Sequence, residues 1–197
     1  MLAGATLLDA PLRDAPQDAC GAGAGVLIPA IDAGGRLYPV EKLAAHRKGL
    51  HHLAVSVFVF SGDALLVQRR AFGKYHSEGL WANTCCTHPN WGETGAASAH
   101  RRLQEELGLA TALRSCAVID YAADVGAGMR EWERVEVFRG DVDQSTAVLA
   151  VNPAEVSAVS WRTVDDLTAD ARERPHLYAP WFRIYLSRWL ELRLTAP

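Results

Sequence analysis

Hydrophobic and polar positions change their period several times along the 197 residues, and each change predicts an element. Residues 1–25 have no sustained period and are rich in Ala, Gly and Asp, with Pro11 and Pro16, which predicts a flexible extension that includes Cys20. Val26-Leu27-Ile28 then reads as a short strand, Asp32 to Gly35 as a turn, and Leu37 to Val40 as the returning strand of a hairpin. His52 to Phe60 is a strand rich in Val and Phe, and Ser61-Gly62-Asp63 turns it into a second strand, Ala64 to Gln68. Residues 71–92 mix Gly, Pro, Trp and His with little periodicity, so they read as a long functional loop.

The helical period is clearest from Ala96 to Leu107, with Thr94 as N-cap and Gly108 as stop. At helical spacing Ala96, Ala99, Leu103 and Leu107 share the buried face, Glu105 lies opposite, and Glu106 sits at the apolar margin. Strands follow around 116–122, 131–139 and 156–161, and Thr163-Val164-Asp165-Asp166 starts another helix. Pro180 opens a last helix carrying Trp181, Ile184, Tyr185 and Trp189. Many strands with few helices predict an α+β or α/β chain, a mixed sheet with helices packed on it.

Composition narrows the class. Hydrophobic residues at 49% and charged residues at 22% are ordinary for a globular chain, which excludes disorder or a fibrous repeat throughout. Twenty basic against 23 acidic residues give a net charge of -3, so no general positive field favours nucleic acid. No apolar run approaches the ~20 residues that span a bilayer, and no membrane partner is expected. Asp9 and the absence of a basic start argue against a secretory signal. Four cysteines make no disulfide framework, and a bridge between adjacent Cys85 and Cys86 would be strained. A reducing cytoplasm is the natural setting.

Several side chains carry candidate chemistry. A carboxylate placed like Glu106 is partly desolvated and wants a cation, although Arg101–Glu105 and Arg102–Glu106 also read as ordinary helix pairs. Glu131 and Glu133 leave one face of a strand about 6.6 Å apart, and two like charges there need a cation or a proton between them. The plain alternative is a solvated face with Arg130 and Arg134 as partners. Six of the seven histidines fall within the first 100 residues, and imidazole with carboxylate suits Zn²⁺, Mn²⁺ or another first-row dication better than Mg²⁺ alone. Cys86 beside such ligands reads as a polarised thiol, or else as inert buried filler.

Glu93, Arg101, Leu103, Glu105, Glu106, Gly108 and Leu109 resemble the Nudix box, which holds divalent cations against diphosphates. Thr87 stands where that box has its first Gly, and Arg102 replaces a Glu. Exchanging a carboxylate for a bidentate phosphate donor makes the chain look like a Nudix relative that binds a diphosphate without hydrolysing it. The segment Trp81-Ala82-Asn83-Thr84-Cys85-Cys86-Thr87-His88-Pro89 closely resembles the active-site motif of type 1 isopentenyl diphosphate isomerase. With the altered helix and Glu131-x-Glu133 in family order, the resemblance spans residues 26–190.

That resemblance implies one Nudix-like catalytic domain over 26–197, with a mixed sheet sandwiched by helices and an extra N-terminal hairpin. It implies interconversion of isopentenyl and dimethylallyl diphosphate, a step of isoprenoid biosynthesis, by protonation and deprotonation. Cys86 and Glu133 match the family's acid–base pair, and Tyr121 matches a tyrosine supporting the Glu. His46, His52, His88, Glu131 and Glu133 match the ligands of one Mn²⁺ or Zn²⁺. Glu106 and the Cys86 carbonyl match the contacts of a Mg²⁺ that arrives with the substrate diphosphate. Lys42, Arg70, Lys74 and Arg102 match the diphosphate-binding cations, and Trp181 an aromatic over the isoprenoid pocket. His52 is preferred to His51 because the family has His directly before Leu-Ala. The expected partner is a small isoprenoid diphosphate, with monomer and dimer both open. Which of Cys86 and Glu133 protonates first is also open, as is a longer isoprenoid substrate. Two rivals remain: a Nudix pyrophosphohydrolase that leaves Cys86 idle, and a metal-stabilised binding module without catalysis.

Overall fold

In the computed structural model, which describes residues 25–74 and 76–194, β1 (Leu27–Ile31) and β2 (Leu37–Glu41) form the expected antiparallel hairpin. The extension expected over 1–25 lies, apart from Gly25, outside the described residues. The spine of the sheet is β3 (His51–Ser61). Along one edge it pairs in parallel with β8 (Met129–Asp141), which forms a long hairpin with β7 (Leu113–Gly126). Its other edge is shared by β1, by β6 (Cys85–Thr87) and, at the far end, by β4 (Ala64–Arg70). From there β4 diverges to pair with β5 (Trp81–Ala82) and β9 (Val156–Thr163).

A strand buried on both faces reads as an unbroken apolar run, and β3 is such a strand. Val55, Val57 and Val59 pack with Leu103 and Leu107 of α2 (Gly95–Leu107). Ala54, Phe58 and Phe60 pack with Phe182 and Tyr185 of α4 (Pro180–Ser187), backed by Leu167 of α3 (Val164–Glu173). Each fully buried side chain of this size contributes about 1.5–3 kcal/mol over an exposed one, so both helices are anchored chiefly by β3. The Thr94 hydroxyl caps α2 by accepting from the Ala97 amide at 3.2 Å, and Gly108 at φ +62° ends it.

Several local expectations change. Ala96 is exposed, because the first turn of α2 meets β8 through Gly95, where an added Cβ would lie 2.2 Å from Glu136 Oε2. Residues 71–92 are not all loop. Their short strands β5 and β6 are recruited by pairing with β4 and β3, which no local period reports. Thr84 ties this segment down, donating to the Leu66 carbonyl at 2.5 Å and accepting from the Val59 amide at 2.9 Å. The short helix α1 (Lys42–Lys48) was not legible from its period. It is capped by the Glu41 carboxylate, which accepts from the Leu43 and Ala44 amides. Trp189 sits beyond α4 in a 3-10 turn (Trp189–Leu192), its ring edge-on to Phe58. Cys85 and Cys86 are both free thiols, the first packed toward α2 and the second toward α4.

Candidate active site

Strand register assembles the site. His52 is the register partner of Glu133 across β3 and β8, Tyr121 of Glu133 across β7 and β8, and Cys86 of Ser56 across β6 and β3. Strand alternation turns these side chains to the α4 face. One turn of α1 separates Lys42, which lines the cleft, from His46, which is fully buried against His52 and His88. Cys86, Glu133, Tyr121, Glu131, His88, Glu106, Lys42, Arg70, Lys74, Arg102 and Trp181 all line that cleft. His51 points the other way, its ring stacked on Trp132 and its Nε2 3.2 Å from Asp120.

His46, His52, His88 and Glu133 bring one donor atom each within 4.8 Å of one another. His46 Nδ1 donates to the Lys42 carbonyl at 2.7 Å and His52 Nδ1 to the Leu50 carbonyl at 2.6 Å. A carbonyl only accepts, so in each neutral ring the Nε2 lone pair is aimed inward, the tautomer that a metal ligand needs. His52 Nε2 lies 3.2 Å from His88 Nε2, and Glu133 Oε1 lies 2.9 Å from His88 and 3.4 Å from His52. Bonds of about 2.1 Å to one ion would set adjacent ligands about 3.0–3.4 Å apart, so these donors fit a first-row dication. Glu131 belongs to an adjoining group with His46 and His76, rather than to the four-residue set.

Tyr121 joins the two glutamates. Its hydroxyl lies 2.8 Å from Glu131 Oε2 and 2.7 Å from Glu133 Oε2. A phenol has one proton, so both contacts are hydrogen bonds only if a second proton is present. Burial, then the Glu133 charge, pushes the Glu131 carboxyl well up, and that proton belongs on Glu131. Burial also pushes Glu133 upward, but the imidazoles beside Oε1, His88 at 2.9 Å and His52 at 3.4 Å, outweigh it and hold its carboxyl well down. A cation among these lone pairs would take over the role of the extra proton.

The Cys86 thiol donates to Asn83 Oδ1 at 2.9 Å, and its sulfur lies 3.3 Å from Ser56 Oγ. Asn83 cannot flip, since its amide nitrogen already donates to the Val57 and Cys85 carbonyls. Burial pushes the thiol up to about 12 against the pull of Ser56 and Asn83, so Cys86 carries its proton at neutral pH. Ser56, Asn83 and His76 carried no role in the sequence reading. Asn83 stands in the quoted motif, whereas nothing local marks Ser56 or His76.

In the cleft, Lys74 and Arg102 are paired with carboxylates. Glu155 accepts from Lys74 and, at 2.9 Å, from Arg102. Arg102 also bonds Glu105 at 2.7 Å and Glu106 at 2.5 Å, and Gln68 donates to Glu106 at 2.8 Å. Arg101 pairs with Glu93 at 2.7 Å, which buttresses the loop before α2. Burial and the nearby Arg102, Arg70 and Lys74 bring Lys42 down to about 8. The Arg70 guanidinium lies 5.2 Å over the Trp181 ring. Among the described residues no helix is long and apolar enough to cross a membrane.

Residues 50–182 match the NUDIX domain family. The chain is 51% identical over 160 residues to a Cereibacter sphaeroides protein named isopentenyl-diphosphate Delta-isomerase, covering 80% of this chain and 89% of that one. A Dinoroseobacter shibae protein of the same name is 51% identical over 168 residues, covering 84% and 93%. In fold it is similar to a crystal structure of a Deinococcus radiodurans protein at TM-score 0.65 and 17% identity, covering 82% of this chain and 98% of that one.

Proposed function

The chain belongs to the type 1 isopentenyl-diphosphate Delta-isomerase family of the Nudix superfamily, and from that premise we propose how its own residues perform the reaction. The protein interconverts isopentenyl diphosphate and dimethylallyl diphosphate, moving a double bond by one proton added and one removed. The reading of the residues is carried by one observation: the Cys86 thiol and the Glu133 carboxylate line the same cleft as Arg70, Lys74 and Arg102.

An isolated alkene is a poor base, so protonating it calls for a placed acid in a site that excludes water. Adding a proton to the terminal CH₂ leaves a tertiary cation, and removing one from the internal carbon completes the shift. Cys86 and Glu133 are the two acid–base groups, and their roles exchange with the direction of the reversible reaction. Asn83 and Ser56 hold the thiol in one orientation. Tyr121 fixes Glu133 through Oε2, leaving Oε1 toward His52 and His88. The Trp181 ring offers a π face to the developing cation.

His46, His52, His88, Glu131 and Glu133 would hold a Zn²⁺ or Mn²⁺, whose charge would set the ionisation of the carboxylates. Mg²⁺ takes one or two carboxylates and completes its shell with phosphate oxygens and water, which suits the single Glu106 with the Cys86 carbonyl and an incoming diphosphate. Lys42, Arg70, Lys74 and Arg102 clamp that diphosphate, and remote anchoring holds the small hydrocarbon tail over the acid–base pair.

Incubating isopentenyl diphosphate with the protein in D₂O is the test. Deuterium on carbon with no phosphate released supports this reading. Phosphate release without deuterium incorporation would support a pyrophosphohydrolase, a reading that Arg102 at the helix position already disfavours. Binding with neither outcome would make the protein a non-catalytic module.

A further inference from the structure

His76 is a buried histidine in the cleft that the acid–base reading does not use. Its loop is bent inward at a cost. Ser77, the next residue, sits at φ +49°, a left-handed conformation that a non-glycine residue holds only when its surroundings impose it. The imposing group is Arg70, whose guanidinium donates to the His76 carbonyl at 3.2 Å and to the Ser77 carbonyl at 3.1 Å. The result is a ring stacked on His46 at 5.8 Å between centroids, with its edge toward Trp181 at 5.7 Å.

The ring's Nε2 lies 3.7 Å from Glu131 Oε1. That is too long for a hydrogen bond. It lies between the separations of adjacent and opposite ligands on one ion with bonds of about 2.1 Å, which are about 3.0 and 4.2 Å. Donor atoms of His46, His76 and Glu131 all lie within 4.8 Å of one another, and His46 also belongs to the set with His52, His88 and Glu133. On the far side of the ring, Nδ1 lies 3.3 Å from Ser77 Oγ, which can accept a hydrogen bond from Nδ1–H, the tautomer that turns the Nε2 lone pair toward the cluster.

We propose that His76 is a further protein ligand of the cation held in the His/Glu cluster, entering beside Glu131. The inference rests on reading that cluster as a cation site. Six protein donors would close the shell, so the ion takes neither alkene nor diphosphate and acts only through the charge of Glu131 and Glu133. Ligation by His76 would also tie the ion to the loop that carries Lys74, two residues upstream.

Proton NMR of the full chain loaded with Co²⁺ tests this, because each histidine bound to the ion gives one exchangeable imidazole N–H signal shifted far outside the diamagnetic range. The expected count is four in the unaltered protein, from His46, His52, His76 and His88. His76→Gln should remove one of them and keep the other three, and should weaken Zn²⁺ binding about 10-fold or more in competition with a chelator. Three shifted signals in the unaltered protein overturn the role of His76 while leaving the cation site standing. No shifted signal overturns the cation site itself. The unaltered protein decides the count without any variant. Four signals that all survive in a folded His76→Gln protein would also overturn the assignment.

Discussion

Ser56 and Cys86 face one another across β3 and β6, with Oγ 3.3 Å from Sγ, while Asn83 holds the other side of the thiol at 2.9 Å. The thiol is therefore oriented as a donor, and burial keeps it protonated, pushed up to about 12. Only the thiolate alkylates, so the rate of iodoacetamide labelling at Cys86 should be low at pH 8 and rise about tenfold per pH unit through pH 10. Peptide mass spectrometry separates Cys86 from the other cysteines. A rate that levels off near pH 9 would contradict the buried, protonated thiol.

Asn83 supplies two buried donors and one acceptor to its surroundings. Asn83→Ala removes one hydrogen bond each from the Val57 and Cys85 carbonyls, which should together cost about 1–3 kcal/mol. Urea unfolding measures it, and a loss under about 0.5 kcal/mol, the scale of ordinary surface changes, would show that these bonds are replaced.

Cys86→Ala and Glu133→Gln should each leave a folded protein that binds inorganic diphosphate nearly as before. Turnover should fall by at least the 10²–10⁴-fold, roughly, that a placed acid or base contributes. Near-normal turnover in either variant would remove that residue from the chemistry.

Lys42 gives diphosphate binding a pH dependence. Its ammonium is held down to about 8 by burial and by Arg102, Arg70 and Lys74, so it is charged below that pH and neutral above it. A bound diphosphate favours the charged form, so binding at pH 8 should take up a proton and weaken between pH 7 and 9. Calorimetry in two buffers of different ionisation enthalpy reads the uptake. Lys42→Gln should abolish it, and equal proton uptake in that variant would assign the titration elsewhere.

Removing the cation should destabilise the protein. A ligand present at 100 times its dissociation constant contributes about 2.7 kcal/mol, so chelation should lower the melting temperature and re-adding Zn²⁺ or Mn²⁺ should restore it. His46, His52 and His88 must be neutral to ligate, so release should also follow acidification. Metal analysis showing no bound ion, with melting unchanged by chelator, would refute the cation site.

The sequence by itself determined most of the larger elements and the family to which the motifs point. The Val- and Phe-rich run of β3 and the Thr94-capped helix ending at Gly108 are readable from local spacing, whereas the roles expected of Cys86, Glu106, Glu131 and Glu133 come from the resemblance of their motifs to a known family. Glu106 at the margin of its helix is buried, as its angular position implied. The tertiary structure alone decided which neighbours meet. The register of β3 with β8 opposes His52 to Glu133, and Arg70 bends the loop at Ser77 so that His76 turns inward. Such facts have no local signal, because their energies come from hydrogen bonds and burial between residues far apart in the chain. A period of 2 or 3.6 says which face of an element is apolar, but pairing and packing decide what that face is pressed against.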